Sequence, residues 1–172
     1  MKIYTIIGGV NGVGKSSLTG VLKALRNDMG IIIDCENCEN ADALSDGCLE
    51  KGVDFTQETT LSGKKTLKTI IDAKEKNYYI RLYYVAVSSA EESISRIENR
   101  VRKGGHSIPE EDVRRRYKKR LNDLMAVLPY CNEVRFYDNE NGFNEVGEYR
   151  SGELSITCST PPQWLLEIKS HL

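Results

Sequence analysis

Short apolar runs alternate with helical periodicities along almost the whole chain. The β-branched run "KIYTIIG" ends at glycines and predicts a first strand. From Lys15, the residues Leu18, Val21, Leu22 and Leu25 recur at helical spacing, closed around Gly30, and predict a first helix. "IIID" reads as a short second strand, and "VDFTQE", after Gly52, as a third. A second helix follows, with Leu67, Ile70 and Ile71 on one face. "YYIRLYYVAV", bounded by Asn77 and Ser88-Ser89, is the strongest strand signal.

"SAEESISRIENRVRK" opens with a capping box, Ser89 with Glu92 three residues on, and stops at Gly104-Gly105. Pro109 can open the next helix, whose stripe is Val113, Tyr117, Leu121, Leu124 and Leu128. "EVRFYDN" is a fifth strand. The tail departs from the pattern: "FNEVGEYRSGELSITC" predicts a hairpin turning at Ser151-Gly152, and "PPQWLLEIKSHL" a short amphipathic helix anchored by Trp164. Alternating strands and helices predict an α/β fold with a mostly parallel five-stranded sheet, helices on both faces and right-handed connections. The small hairpin and helix would follow at residues 143–172.

Composition narrows this picture. A chain of 172 residues is one domain's length and can bury a core without staples. No run is long enough to span a membrane, and the N-terminus lacks signal-peptide regions, so a cytoplasmic setting is expected. The net charge of −1 gives no general electrostatic case for nucleic acid. Five cysteines then read as reduced thiols. The C-x-x-C of "CENC" (Cys35 to Cys38) is not matched by a second pair with zinc spacing, and thiols in a loop are the favoured reading over a metal.

The most specific chemistry is near the amino terminus. Gly9, Gly14, Lys15 and Ser16 match G-x-x-x-x-G-K-[ST], between a predicted strand and a predicted helix. Glycines let backbone N–H groups converge on phosphate oxygens, and the helix N-terminus adds partial positive charge. Residues Gly9, Val10, Asn11, Gly12, Val13, Gly14, Lys15, Ser16 and Ser17 therefore form the expected ATP cradle. Lys15 would reach the β- and γ-phosphates, and the Ser16 hydroxyl would ligate Mg2+. No N-K-x-D string for guanine follows, and "VDFTQE" is too polar for the apolar, acid-ended strand of a motor ATPase. The chain instead carries "NRVRKGGHSIPEEDVRRRYKKR". Clustered arginines beside a Gly104-Gly105 hinge and His106 suit a kinase lid, spanning residues 90–128, that neutralises a phosphoryl group in transfer.

"QETTLSG", "RVRKGGHSIPEEDVRRRYKKRL" and "FYDN", in this order after the phosphate cradle, resemble the zeta-toxin-like P-loop kinases. The resemblance covers the chain to Asn139. It implies a nucleotide-kinase type fold and phosphorylation of a small-molecule hydroxyl, as on UDP-N-acetylglucosamine, under the control of a protein antitoxin. It also implies that Glu58, Thr59, Thr60 and His106 touch substrate, and that Arg100 or Arg102, with Arg115 or Arg116, flanks the transferring phosphate. The family aspartate after strand two falls on Glu36 by spacing, with Asp34 two residues earlier. Both acids stay candidates for the base. Strand three follows within a short interval, so the family's pocket-shaping helix is expected to be missing. Two rivals remain: an ATP-binding module without transfer, and a nucleic-acid 5′-hydroxyl kinase. Near-neutral charge, with no interleaved aromatics but Tyr117, weighs against the latter.

Overall fold

The computed structural model describes residues 1–172. Five strands run parallel: β1 (Lys2–Gly8), β2 (Ile31–Asp34), β3 (Phe55–Thr59), β4 (Tyr78–Ala86) and β5 (Glu133–Asp138). The predicted tail hairpin, β6 (Asn144–Arg150) and β7 (Glu153–Ile156), turns at Ser151-Gly152. It is not a separate appendage. β6 pairs antiparallel with β5, so the sheet has seven strands in the order β2-β3-β1-β4-β5-β6-β7.

Alternation along the strands splits the core between the two sheet faces. Tyr4, Ile6, Ile80, Leu82 and Tyr84 face one layer, which buries Ile70 of α3 (Lys64–Glu75), Leu124 of α5 (Glu110–Val127) and Leu165 of α6 (Gln163–Ser170). Ile7, Tyr83 and Val85 face the other, where Leu18 and Leu22 of α1 (Lys15–Leu25) pack. The one arginine inside β4, Arg81, lies on the α1 side and is 3% exposed. Its guanidinium donates to Asp28 Oδ2 at 2.7 Å, Asp28 Oδ1 at 2.9 Å and Thr5 Oγ1 at 2.7 Å, which makes its burial tolerable. Trp164 anchors α6 as predicted: it packs on Tyr84 and Phe136, and its indole N–H donates to Asp138 Oδ1 at 2.8 Å.

The segment after β2 corrects the sequence reading. A three-turn helix, α2 (Ala41–Lys51), stands where none was expected. Its buried face is Ala41, Ser45, Cys48 and Leu49, small residues that give little hydrophobic periodicity. Gly52, in the left-handed conformation at φ 66°, stops it. β3 is buried at all five positions although four of its residues are polar. Each finds a partner: Thr56 Oγ1 donates to the Met29 carbonyl, Gln57 accepts from the Tyr4 hydroxyl and donates to Ser45 Oγ, and Glu58 and Thr59 bond within the site described next.

The segment expected to act as a lid is a helical hairpin of α4 (Ala90–Arg102) and α5. Ser89 Oγ accepts from the Glu92 amide at 3.1 Å, the first half of the predicted capping box. Glu92 does not reach back to Ser89; its carboxylate pairs with Arg96 instead.

Candidate active site

Parallel pairing brings Gly8 of β1 opposite Thr59 of β3, and Glu58 opposite both Ile7 and Asp34 of β2. Three strand ends therefore open at one carboxyl edge, where α/β sheets collect their ligands. The loop from Gly9 to Gly14 leaves β1 here and enters α1, whose first turn no side chain caps. None of its three glycines can be replaced without strain, and a Cβ on Gly9 (φ 149°) would lie 2.3 Å from the Val85 carbonyl oxygen. A Cβ on Gly12 (φ 78°) would lie 2.6 Å from the Ser93 carbonyl oxygen, and one on Gly14 (φ 101°) 2.6 Å from Asn139 Nδ2. Asn139, from the "FYDN" end of β5, also donates to the Val13 carbonyl at 2.8 Å.

Lys15 is 8% exposed. Its ammonium donates to the carbonyls of Gly9 at 2.9 Å and Val10 at 3.0 Å, and lies 3.3 Å from Glu36 Oε1. Burial pushes the Lys15 ammonium below its ordinary value, and Glu36, with Glu58 and Asp34 behind it, opposes that shift. The two acids after β2 part company. Asp34 folds back as a turn cap, its Oδ1 accepting from the amides of Glu36 at 3.0 Å and Asn37 at 3.3 Å, and its Oδ2 from Asn37 Nδ2 at 2.7 Å. That turn aims Glu36 at Lys15.

Glu58, expected from the family pattern to touch substrate, stands beside the first residue after the loop lysine. Its Oε2 accepts from Ser16 Oγ at 2.7 Å, the arrangement of an acid standing behind the loop serine of a P-loop. This contact was obscured in sequence by the polarity of "FTQET". Thr59 and Thr60 face away from it, into a second cavity.

The two cavities meet at Glu36. The first, about 760 Å³, is lined by Gly12 and Gly14 to Ser17 around the loop, by Glu36 and Glu58, and by Arg96, Arg100 and His106 from the α4–α5 hairpin. The second, about 480 Å³, lies between the ends of β2 and β3, α2, α3 and the start of α5. Of the arginine alternatives, Arg100 reaches the first cavity, donating to the His106 carbonyl at 3.1 Å, whereas Arg102 does not line it. Arg116 turns inward and donates from Nη1 to Asn11 Oδ1 at 2.8 Å; Arg115 turns outward to Asp112 and is 62% exposed.

One connection was not foreseen. Asn11, 1% exposed, donates from Nδ2 to Glu36 Oε2 at 2.9 Å while accepting from Arg116. It ties the loop, the acid after β2 and the lid together. Nothing in a sequence marks a contact between residues 105 positions apart. No cluster of three or more His, Cys, Asp or Glu side chains is arranged to hold a metal ion by itself. Cys35 and Cys38 are half-buried free thiols in the turn after β2.

Comparison with known proteins gives the family and the fold. The zeta toxin family model matches residues 39–142. An uncharacterized protein of Haemophilus influenzae is 32% identical over 127 residues, covering 63% of this chain and 88% of that protein. The toxin–antitoxin system PezAT of Streptococcus pneumoniae contains a chain that superposes with a TM-score of 0.64 at 15% identity, over 99% of this chain and 84% of that one. The AvrRxo1-ORF1:AvrRxo1-ORF2 complex does so with sulphate ions (TM-score 0.67, 17% identity, 97% of this chain) and with ATP (TM-score 0.65, 16% identity, 91% of this chain). This chain spans 63% and 61% of the length of those two AvrRxo1 chains. At such identities the superpositions show the fold.

Proposed function

The chain belongs to the zeta toxin family of kinase-like P-loop proteins, and from that premise we propose that it transfers the γ-phosphoryl group of ATP to a hydroxyl of a small molecule. The observation that carries the reading is Glu36, a carboxylate on the partition between two cavities and 3.3 Å from the loop lysine. A phosphoryl donor in the first cavity and a hydroxyl in the second would meet at this residue.

The residues present fit ATP. The loop glycines hold positive-φ backbone that a side chain would strain, the first turn of α1 has no side-chain cap, and Lys15 already rests among carbonyls that a phosphate would replace as its partner. They also fit Mg2+ in the way P-loop kinases hold it, through the Ser16 hydroxyl with Glu58 behind, the remaining ligands being phosphates and water. The ion would supply charge neutralisation between the β- and γ-phosphates.

Each protein group then has a separate task. Glu36 accepts the proton of the acceptor hydroxyl as that oxygen bonds to phosphorus and the bond to the β-phosphate oxygen breaks. Lys15 holds the leaving phosphates. Arg100 and Arg116, from the two lid helices, face charge on the phosphoryl group in transit. Asp34 orients Glu36 by capping the turn. Thr59 and Thr60 receive the acceptor, and His106 borders the cleft from the lid. The name of the PezAT system records a toxin paired with an antitoxin, and a protein partner of that kind is proposed for this chain too. No helix is long and apolar enough to cross a membrane.

The test is Glu36→Gln. It keeps the shape of the side chain and removes its basicity. Transfer should fall by a factor of about 100 to 10,000 while calorimetric ATP affinity is retained. Transfer at the parental rate would overturn the assignment, and ATP hydrolysis with no transfer in the parent would leave an ATP-binding module.

A further inference from the structure

The loop between β1 and α1 is held from outside by a residue that does not line the first cavity. Asn139 stands just past the end of β5, and its own N–H donates to the Ala86 carbonyl at 3.0 Å. Its two neighbours are tied down as well. The Asp138 carboxylate accepts from the Trp164 indole of α6, the Glu140 carboxylate from the Ser88 amide, and the Glu140 carbonyl from Arg96 of α4 at 3.2 Å. The Asn139 side chain therefore rises from a braced turn.

Its amide reaches across to the loop. Nδ2 donates to the Val13 carbonyl at 2.8 Å, and the same nitrogen fills the space over Gly14, where a Cβ would lie 2.6 Å from it. A carbonyl acceptor can be met only by the nitrogen of the amide, so the side chain has one workable orientation. Every peptide bond of the chain is trans, and in a trans peptide the C=O and the following N–H point in opposite directions. Holding the Val13 carbonyl toward Asn139 thus turns the Gly14 N–H the other way, toward the cavity that Gly14, Lys15 and Ser16 line. No carbonyl of the protein accepts from that N–H.

The glycine does not fix this arrangement by itself. Gly14 has φ 101°, a conformation that a side chain would strain. Glycine takes the opposite sense of rotation about as readily, so the same freedom also permits the peptide plane to flip. A flipped plane would present the Val13 oxygen, the negative end of its dipole, to a phosphate. The hydrogen bond from Asn139 selects against that flip.

On the nucleotide reading of the loop given above, we propose that Asn139 is a positioning residue: by holding the Val13 carbonyl it aims the Gly14 N–H at the phosphate chain of the bound nucleotide. It acts through the loop and does not touch the nucleoside.

Two variants of the full chain test this. Asn139→Leu keeps a similar volume over Gly14 and removes the donor; Asn139→Ala removes both. Thermal unfolding of the unliganded protein shows that each variant folds. Calorimetry then gives the affinity for magnesium-ATP, and competition against ATP gives that for inorganic tripolyphosphate. Both variants should bind both ligands about tenfold more weakly, the scale of one hydrogen bond. The factor should be the same for the two ligands, because only their phosphates are shared. Weaker ATP binding with parental tripolyphosphate affinity would place Asn139 on the nucleoside and overturn the proposal. Parental affinity for both, with a lowered unfolding temperature, would also overturn it and leave a structural contact. Weak binding in Asn139→Ala beside parental binding in Asn139→Leu would put packing over Gly14 in place of the hydrogen bond, which again overturns it. A parent that binds neither ligand would end the nucleotide reading, and this assignment with it.

Discussion

Asn11 offers the sharpest perturbation, because it joins three parts of the site through one buried amide. Arginine can only donate and a carboxylate can only accept, so the amide has one workable orientation, Oδ1 to Arg116 and Nδ2 to Glu36. Asn11→Ala deletes both bonds. Hydrogen bonds to charged groups contribute about 1.5–3 kcal/mol each. Glu36 is 26% exposed and can rehydrate, so the lower end applies, giving about 3 kcal/mol for the pair. If that free energy holds the base and the lid arginine in register, kcat falls about 100-fold. The loop backbone is untouched, so ATP affinity should move by less than about threefold.

Asn11→Asp separates the two bonds. It keeps an oxygen for Arg116 but sets a carboxylate against Glu36, and two acids sharing a site cannot both ionise easily. The acid limb of the kcat/KM profile should therefore move to higher pH in this variant and not in Asn11→Ala. The assay is single-turnover transfer of the γ-phosphoryl group to an acceptor hydroxyl across pH, beside ATP calorimetry. Parental kcat in Asn11→Ala, with parental ATP affinity, would refute the reasoning and reduce the bridge to a resting contact.

Arg116→Ala should lower kcat about 1,000-fold with ATP affinity nearly intact, whereas Arg115→Ala, at an outward-facing residue, should leave both unchanged; equal effects would remove the distinction between them. Asp28→Asn should destabilise the fold by about 3 kcal/mol in urea unfolding at neutral pH, since it strips buried Arg81 of its carboxylate partner. Arg81 first, and then Arg26, hold the Asp28 carboxyl well below the usual range. Its contribution is therefore complete above about pH 4 and is lost as the pH falls below that, so the gap between parent and variant should close in acid.

The features legible in the sequence are those whose information is local. Strand alternation, the spacing of the loop glycines and the stop at Gly104-Gly105 can each be read within a dozen residues. α2 escaped because its buried face is built from Ala41, Ser45 and Cys48, with Gly47 in its middle, so hydrophobic periodicity was weak although Gly52 marked its end. β3 was legible as a strand ending at Glu58, Thr59 and Thr60, but the bond from Ser16 to Glu58 was not, because the buried positions of this strand are polar and each is satisfied by a partner distant in sequence. The choice between Asp34 and Glu36 was nearer to hand, since an aspartate followed three residues later by Asn37 is turn chemistry. What no local reading supplies is the chain from Arg116 through Asn11 to Glu36. That chain has a mechanistic consequence. On the proposed kinase reading, an arginine that bonds the residue holding the base would move together with it, so closure of the hairpin and alignment of the base would form one event. Such a coupling lets the acid be fully aligned only when the arginine that stabilises the transferring charge has arrived, and an open lid then leaves ATP beside an unaligned base.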